Sequence, residues 1–327
     1  MLEGILGIEP AERAQTYQTM ADVCLNLGDV DEALVYQERN IAYWESAGRT
    51  ADVVMGLLRA GLMLARRSDW GKAKDYLERA IRLSSNDLVL QARSRIGLAS
   101  ILASSGSLRA AFDELQKALD IGTRLNEPAI IVRSLLGLGR AYLARGDLRR
   151  ASVALNQALS LAERKDPVAR VWVGIELGRL LTEEGDFIRA RQELEASARL
   201  AREGKRPADE HLARSYLAIC LSMEQDGAEL REAWDQADAA RRFFEGTGDF
   251  RGMVVSQVAC AKVLAALGDP ALAARYFDQA ARKGRESEDP VLEAFACRAY
   301  GEYLAGIHDE MATVMLQRAN WARGKLR

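Results

Sequence analysis

One short sequence pattern recurs at a nearly constant interval along the 327 residues of this chain. Each clear copy places an alanine a few residues after a turn-forming pair, and the copies are GDVDEAL from residue 28, SDWGKAK from 68, GSLRAAF from 106, GDLRRAS from 146, GDFIRAR from 185 and GDPALAA from 268. Two weaker copies, AELREAW from 228 and IHDEMAT from 307, fill the gaps. The alanines are Ala33, Ala73, Ala111, Ala151, Ala190, Ala233, Ala273 and Ala312, spaced 38 to 43 residues apart. A period of about 40 residues indicates a stack of two-helix units, because one such unit cannot bury its apolar face alone.

The fourth unit shows how the sequence specifies a helix pair. Pro128 suits the first turn of a helix, where its missing N–H is not needed. Gly146 can end that helix in a left-handed conformation, and the Asp147 carboxylate can cap the next one. The second helix then carries an apolar stripe of helical period, Ala151, Leu155, Ala158, Leu159 and Ala162. The same capping role is predicted for Asp29, Asp69, Ser107, Asp186 and Asp269.

The unit boundaries follow from the prolines and short polar linkers. Four of the six prolines, Pro128, Pro167, Pro207 and Pro290, stand where a first helix should begin. We therefore predict an N-terminal extension or cap over residues 1–10 and a single helical array over 11–327. Its units lie near 11–48, 49–86, 87–126, 127–165, 166–205, 206–247, 248–288 and 289–324.

Composition narrows the classes of function. The 45 basic and 47 acidic residues give a formal charge of −2, so we expect neither direct nucleic-acid binding nor attraction to an anionic membrane. The opening MLEGILGIEP lacks the features of a secretory signal, which favours a cytoplasmic location. The cysteines are far apart inside apolar runs and are predicted to be buried thiols: Cys24, Cys220, Cys260 and Cys297.

Motifs of catalysis and metal binding are missing. His211 and His308 are the only histidines, and the chain has no HExxH, no P-loop, no GxSxG and no EF-hand pattern. Pairs of carboxylates fall in turns, where solvent keeps their pKa values ordinary. We expect a protein that is not an enzyme and that needs no cofactor and no metal.

The fourth unit resembles the tetratricopeptide repeat, whose signature is W-x2-L-G-x2-Y followed by A-x3-F, A and P. The matching residues are Leu138, Gly139, Tyr142, Ala151, Leu155 and Ala158. In the other units the small residue of the first helix is Ala21, Gly61, Ala99, Gly178 or Ala261. Leu221 takes this position in the sixth unit, and the eighth unit lacks the Gly-Asp turn, so both depart from the pattern. The resemblance implies an all-α, right-handed α-solenoid of about eight repeats, in a long-unit variant similar to those of motor light chains, polarity scaffolds and the sensor modules of LuxR-type regulators.

The resemblance also implies that the first helix of each unit lines a concave groove. With the small residue counted as position eight, positions two, five, nine and twelve face that groove. The candidate partner-binding residues are Arg93, Arg133, Arg140, Trp172, Ile175 and Arg179. Guanidinium groups could grip a carboxylate in a bidentate manner. The alternative is that these arginines pair with Glu176 and Glu183 on an exposed face at little net gain.

We therefore expect a scaffold that binds a peptide or protein segment in its concave groove, with an acidic segment matching the arginines. Two alternatives remain open. The chain could be a sensor or regulatory module of a larger signalling or transcription-regulator protein, or a structural adaptor that forms a homodimer. Charge reversal at Arg140 and Arg179 is expected to weaken binding of an acidic partner while lowering the melting temperature by no more than a few degrees.

Overall fold

The computed structural model describes residues 10–26, 29–224 and 229–326. Within these ranges sixteen α-helices follow one another and no strand is present. The helices are α1 Pro10–Asn26, α2 Val30–Ser46, α3 Thr50–Arg66, α4 Trp70–Leu83, α5 Leu88–Ser104, α6 Leu108–Leu125, α7 Pro128–Arg145, α8 Leu148–Lys165, α9 Pro167–Glu184, α10 Phe187–Glu203, α11 Pro207–Glu224, α12 Leu230–Thr247, α13 Phe250–Leu267, α14 Pro270–Glu286, α15 Pro290–Gly306 and α16 Met311–Gly324. Residues 1–9 of the predicted N-terminal extension, Gly28 of the first turn and Ala228 of the sixth lie outside the described residues.

The helices pack in the order of the chain. Each odd-numbered helix packs on the even-numbered helix that follows it. From α3 to α15, each odd-numbered helix also packs on the next odd-numbered helix. The odd-numbered helices thus form a continuous inner layer, and the even-numbered helices form an outer layer. The predicted all-α solenoid of helix pairs is confirmed.

Five of the six predicted N-terminal caps are present. The Asp147 carboxylate accepts the Arg150 N–H at 3.1 Å, and Asp269 accepts the Leu272 N–H at 3.0 Å. Gly146 ends α7 with a φ of 84°, a left-handed conformation that favours glycine. The cap predicted at Ser107 is wrong, because Ser107 precedes α6 but its side chain makes no capping hydrogen bond.

In four inner helices a glycine admits a leucine of the partner outer helix, at Gly61, Gly139, Gly178 and Gly301. A Cβ built on Gly139 would lie 2.6 Å from Leu155, and one built on Gly178 would lie 2.4 Å from Leu194. Both leucines are fully buried. The glycines therefore set how closely the two helices of a pair approach.

The sixth unit requires a correction of register. In the fourth and fifth units the small residue lies eleven residues after the proline that begins the inner helix, as Gly178 does after Pro167. The equivalent residue of α11 is Ala218, which is fully buried, and not Leu221. Sequence counting failed here because it ran backward from Ala233, across a longer connection between α11 and α12 than joins the helices of the fifth unit.

The curvature of the solenoid brings its C-terminal end back to the turns of the second and third units. The Ser68 hydroxyl donates to the Ser287 carbonyl oxygen, and the Ser104 hydroxyl lies near enough to the buried Asp289 carboxylate to act on its pKa. A Cβ on Gly106 would lie 3.1 Å from the Lys325 carbonyl oxygen. Helix α15 also packs on α5, so residues far apart in sequence close one superhelical turn.

Helix α13 is long and apolar enough to cross a membrane, by length and composition alone. Of its residues, 67% are buried inside the protein. The helix packs on α11, α12, α14 and α15. The apolar composition of α13 is therefore explained by its place in the core of the protein. The four cysteines are buried free thiols, as predicted.

We expect Gly178→Ala to destabilise the fold by about 1–3 kcal/mol, because the added methyl group would displace Leu194 in a close-packed contact. Gly246→Ala is the control, since nothing lies within 4 Å of a Cβ at this exposed helical position, and it should stabilise by up to about 1 kcal/mol. Urea unfolding measures both. Equal effects of the two substitutions would contradict the role assigned to the small residue.

Asp289 gives the superhelical closure a pH dependence. Burial raises its pKa to about 6, although the backbone N–H groups of Val291 and Leu292 act in the opposite direction. Between its ordinary pKa of 3.8 and the raised value, the folded state binds more protons than the unfolded state, so stability falls as pH rises through this window. The free energy of unfolding of the wild type, relative to that of Asp289→Asn, should therefore increase from pH 7 to pH 4 in urea titrations. Parallel pH profiles would refute this.

Candidate functional site

The inner layer carries a cluster of charged side chains around one buried carboxylate. Glu176 of α9 has no exposed surface. The Arg140 Nε lies 2.8 Å from its Oε1 atom, and an Arg179 terminal nitrogen lies 3.5 Å from Oε2. Arg251 of α13, two units further along, also donates to Oε1. We call these four residues the arginine cluster.

The arginine cluster carries more positive than negative charge. Burial by itself raises the pKa of Glu176, but the charges of Arg251, Arg140 and Arg179 outweigh it and hold the pKa well below its ordinary value. Glu176 is therefore ionised at neutral pH. Three guanidinium groups surround a single carboxylate, so the wall of the inner layer is positive at this point.

A second group of side chains surrounds Trp172. The guanidinium of Arg133 lies 5.9 Å from the centre of the indole ring, and that of Arg206 lies 5.0 Å from it. The indole Nε1 donates to Asp209 at 3.1 Å. These contacts fix the ring near the start of α9 and place two cations beside it.

A cavity of about 310 Å³ adjoins the arginine cluster. It lies between the inner helices α9, α11, α13 and α15, with the start of α8 at one side. Its lining is Leu148, Arg179, Thr182, Glu183, Tyr216, Ile219, Met223, Lys262, Phe295, Arg298, Ala299 and Glu302. The cavity therefore has both apolar and charged walls.

The structure brings the predicted residues together in two groups. Arg140 and Arg179 share Glu176, and Arg133 lies over Trp172. Arg93 is exposed on α5, and no ion pair involves it among the described residues. Ile175 is 1% exposed and belongs to the core, so it presents no surface to a partner and we leave it out of the site.

The alternative to partner binding was that the arginines pair with Glu176 and Glu183. Arg140 and Arg179 do pair with Glu176, and Arg179 also pairs with Glu183. They do not lie on an exposed face, however, since Glu176 is completely buried and the Arg179 side chain is 15% exposed. Pairing here leaves the cluster positive instead of neutralising it.

Sequence reasoning missed Arg251 and Lys262. Lys262 follows Ala261, and so holds position nine of the seventh unit, the position that selected Arg140 and Arg179. With the corrected register of the sixth unit, Ile219 holds this position there. Arg251 offers no such clue, because it precedes the groove positions of its unit and reaches Glu176 only through the curvature of the solenoid.

No group of three or more His, Cys, Asp or Glu side chains within residues 10–26, 29–224 and 229–326 could hold a metal ion. His211 stacks on Phe243, and His308 lies in the turn after α15, far from it in sequence.

Comparison with known proteins gives a family match over part of the chain. A family model described as tetratricopeptide repeat matches residues 90–164. No curated protein sequence matches the chain significantly.

Solved structures share the fold over most of the chain. A Rap conjugation gene regulator of plasmid pLS20, in complex with the Phr* peptide, is 13% identical with a TM-score of 0.69, covering 97% of this chain and 96% of that one. A Rap protein complexed with competence and sporulation factor is 14% identical with a TM-score of 0.62, covering 97% and 99%. A signal-transduction ATPase with a tetratricopeptide repeat sensor, from Pyrococcus horikoshii, is 13% identical with a TM-score of 0.55, and the match covers 96% of this chain but 47% of that protein. At these identities the likeness establishes the fold.

We expect Glu176→Gln to cost about 3–5 kcal/mol of stability, because it leaves three arginines without their shared counter-charge in a buried position. Glu195→Gln is the matched control. It removes a half-exposed carboxylate from Arg191, and should cost less than about 1 kcal/mol. Urea unfolding at pH 7 distinguishes the two. Similar small losses would show that the buried carboxylate does not hold the cluster together.

Proposed function

We propose that this tetratricopeptide-repeat protein binds a peptide or protein segment along its inner layer, and that the segment is acidic. The observation that carries the proposal is the unbalanced positive charge of the arginine cluster on the inner wall of a curved solenoid. Proteins built from such repeats serve in general as scaffolds for interaction with other proteins, and nothing in the site calls for a reaction.

The inner wall suits an acidic segment for electrostatic reasons. Arg93 and Arg133 are exposed or half-exposed on α5 and α7, whose other faces are covered by neighbouring helices. The arginine cluster adds its excess charge further along the layer. Complementary charge of this kind speeds association and selects partners of the opposite sign.

The similar Rap structures include one in complex with the Phr* peptide and one complexed with competence and sporulation factor. Ligand binding of this kind is a property of those proteins. It bears on this chain as support for the proposal, because the same fold here presents a preformed wall with suitable chemistry.

A sensor role within a larger protein is a second candidate. It is favoured by the similarity to the Pyrococcus horikoshii ATPase, whose sensor is built of the same repeats. The contacts between the second and third units and the C-terminal end supply a closure that a segment bound inside the solenoid would disturb or strengthen.

The test uses the purified protein and a displayed library of random 12-residue peptides. We expect the library to yield acidic sequences, and the double substitution Arg93→Glu with Arg133→Gln to weaken binding of a selected peptide at least tenfold. The matched control is Arg109→Glu with Arg149→Gln, the same change of charge on α6 and α8 of the outer layer in the same two units. It should change the dissociation constant less than twofold.

Charge reversal at Arg140 and Arg179 is unsuitable for this test. Both residues contact buried Glu176, so new carboxylates there would repel it and lower stability, contrary to the expectation from sequence. Thermal unfolding verifies that the chosen variants are folded. Equal weakening by the inner and outer pairs, or no enrichment of acidic peptides, would overturn the proposal.

A further inference from the structure

We propose that the outer face of α16 binds an amphipathic helix of a partner protein, and that this helix is acidic at the end that lies over Trp321. The surface belongs to the outer layer, so the inference goes beyond the binding of a segment along the inner layer. It rests on a row of side chains that we call the outer stripe: Met311, Val314, Arg318, Trp321 and Lys325.

The contact between α15 and α16 fixes the repeat register of α16. A Cβ built on Gly301 would lie 2.8 Å from Leu316, which follows Ala312 by four residues. Gly139 approaches Leu155, four residues after Ala151, in the same way. Each position of α16 can therefore be compared with the same position of the other outer helices.

This comparison shows that α16 departs from the other outer helices on its exposed face. The position of Trp321 is held in α2 to α14 by small, polar or charged residues, all of them exposed: Ala42, Arg82, Asp120, Ser160, Arg199, Arg242 and Arg282. Valine does recur at the position of Val314, as Val35 in α2 and Val153 in α8. Only α16 combines large apolar residues at both positions, so the repeat itself does not require them.

The apolar side chains of the outer stripe lie open to solvent. Met311, Val314 and Trp321 are 49%, 48% and 49% exposed. The last repeat of a solenoid ordinarily presents a polar outer face, which keeps the protein soluble. Apolar surface at this place indicates that something covers it in a complex.

The outer stripe has the form of a seam for one helix. Its members follow one another at intervals of three, four, three and four residues, which is the spacing of the contact line between two packed helices. Thr313 and Gln317 border it with exposed polar side chains, and Ala322 on the other side is buried. A helix that lies in a membrane surface needs a wider apolar face than this.

Trp321 is held in place before any partner arrives. The guanidinium of Arg318 lies 3.9 Å from the centre of one of its rings, and the ammonium of Lys325 lies 3.7 Å from it. The Arg318 Nε also lies 2.5 Å from the buried Glu293 carboxylate. A fixed tryptophan beside an arginine is typical of residues that dominate binding energy, because little side-chain freedom is lost on association.

The charge of the outer stripe selects an acidic partner. Helix α16, Met311–Gly324, contains no carboxylate, and no carboxylate of the described residues pairs with Lys325. A partner helix with acidic residues near Lys325 would supply the missing counter-charge. A second copy of this chain would not, because full alignment of two stripes by a two-fold axis sets Arg318 of one copy against Arg318 of the other.

The test uses a fluorescent 18-residue peptide held helical by a lactam bridge on its far face. Its heptad seam carries glutamates in the first half, where they also suit the helix dipole, and leucines in the second half. We expect saturable binding in fluorescence anisotropy. A peptide with glutamine in place of glutamate, and one with the same residues reordered so that the seam is lost, should each bind at least fivefold more weakly. Equal binding of either one contradicts the proposal.

Val314→Asp with Trp321→Arg should weaken binding of the acidic peptide at least tenfold. The fold should tolerate this pair, which leaves the net charge unchanged and reproduces Asp75 with Arg82 of α4. The matched control is Val153→Asp with Ser160→Arg, the same substitutions at the same positions of α8. It should change the affinity less than twofold, and thermal unfolding verifies that both variants are folded. Unchanged binding by the α16 variant, or equal loss in the α8 control, would overturn the inference.

Lys325→Gln tests the charge without altering an apolar side chain. It should weaken binding of the acidic peptide at least threefold and leave that of the glutamine peptide unchanged. Equal effects on the two peptides would refute the acidic end of the partner helix.

Other occupants of the outer stripe give different results in the same variants. If the wild type forms a dimer in sedimentation that Val314→Asp with Trp321→Arg abolishes, the stripe belongs to a second copy and the proposal is wrong. Binding to phosphatidylglycerol vesicles that the same variant loses would assign the stripe to a membrane, which also overturns it. A monomer that ignores such vesicles and binds the acidic peptide supports the partner helix.

Discussion

The contact between a small residue of an inner helix and a leucine of its outer partner is the constraint on which the solenoid depends. At Gly139 with Leu155, and at Gly178 with Leu194, the two backbones approach too closely for any side chain to replace the glycine without movement. The same contact recurs at Gly61 with Leu77 and at Gly301 with Leu316, which gives these helix pairs a similar geometry. The inner helices then stack into one layer, and the curvature of that layer determines which distant residues meet.

The arginine cluster shows what this curvature makes possible. Arg251 reaches Glu176 from two units away, and Arg298 of the eighth unit reaches Glu183 of the fifth. A buried carboxylate shared by three arginines is costly to desolvate, and a hydrophobic set of similar volume would often be as stable. The cluster therefore makes better sense as a positive wall held in a fixed geometry than as a source of stability.

Much of the candidate site could be predicted from position within the repeat. The same position in the fourth, fifth and seventh units selects Arg140, Arg179 and Lys262, because equivalent residues of stacked inner helices face the same way. Ile175 shows where the rule fails, since close packing of adjacent inner helices buries its position. The sixth unit shows a second failure, because a longer connection shifted the counting from Ala218 to Leu221.

The sequence by itself determined the helix pairs, their caps and their order in the array, because each depends on contacts between residues close in the chain. Asp147 caps α8 and the apolar stripe from Ala151 onward follows from a helical period, whatever the rest of the molecule does. Only the tertiary structure decided which charges meet around Glu176 and that a cavity remains beside them. These features arise from small rotations accumulated over several units, and no single repeat encodes that sum.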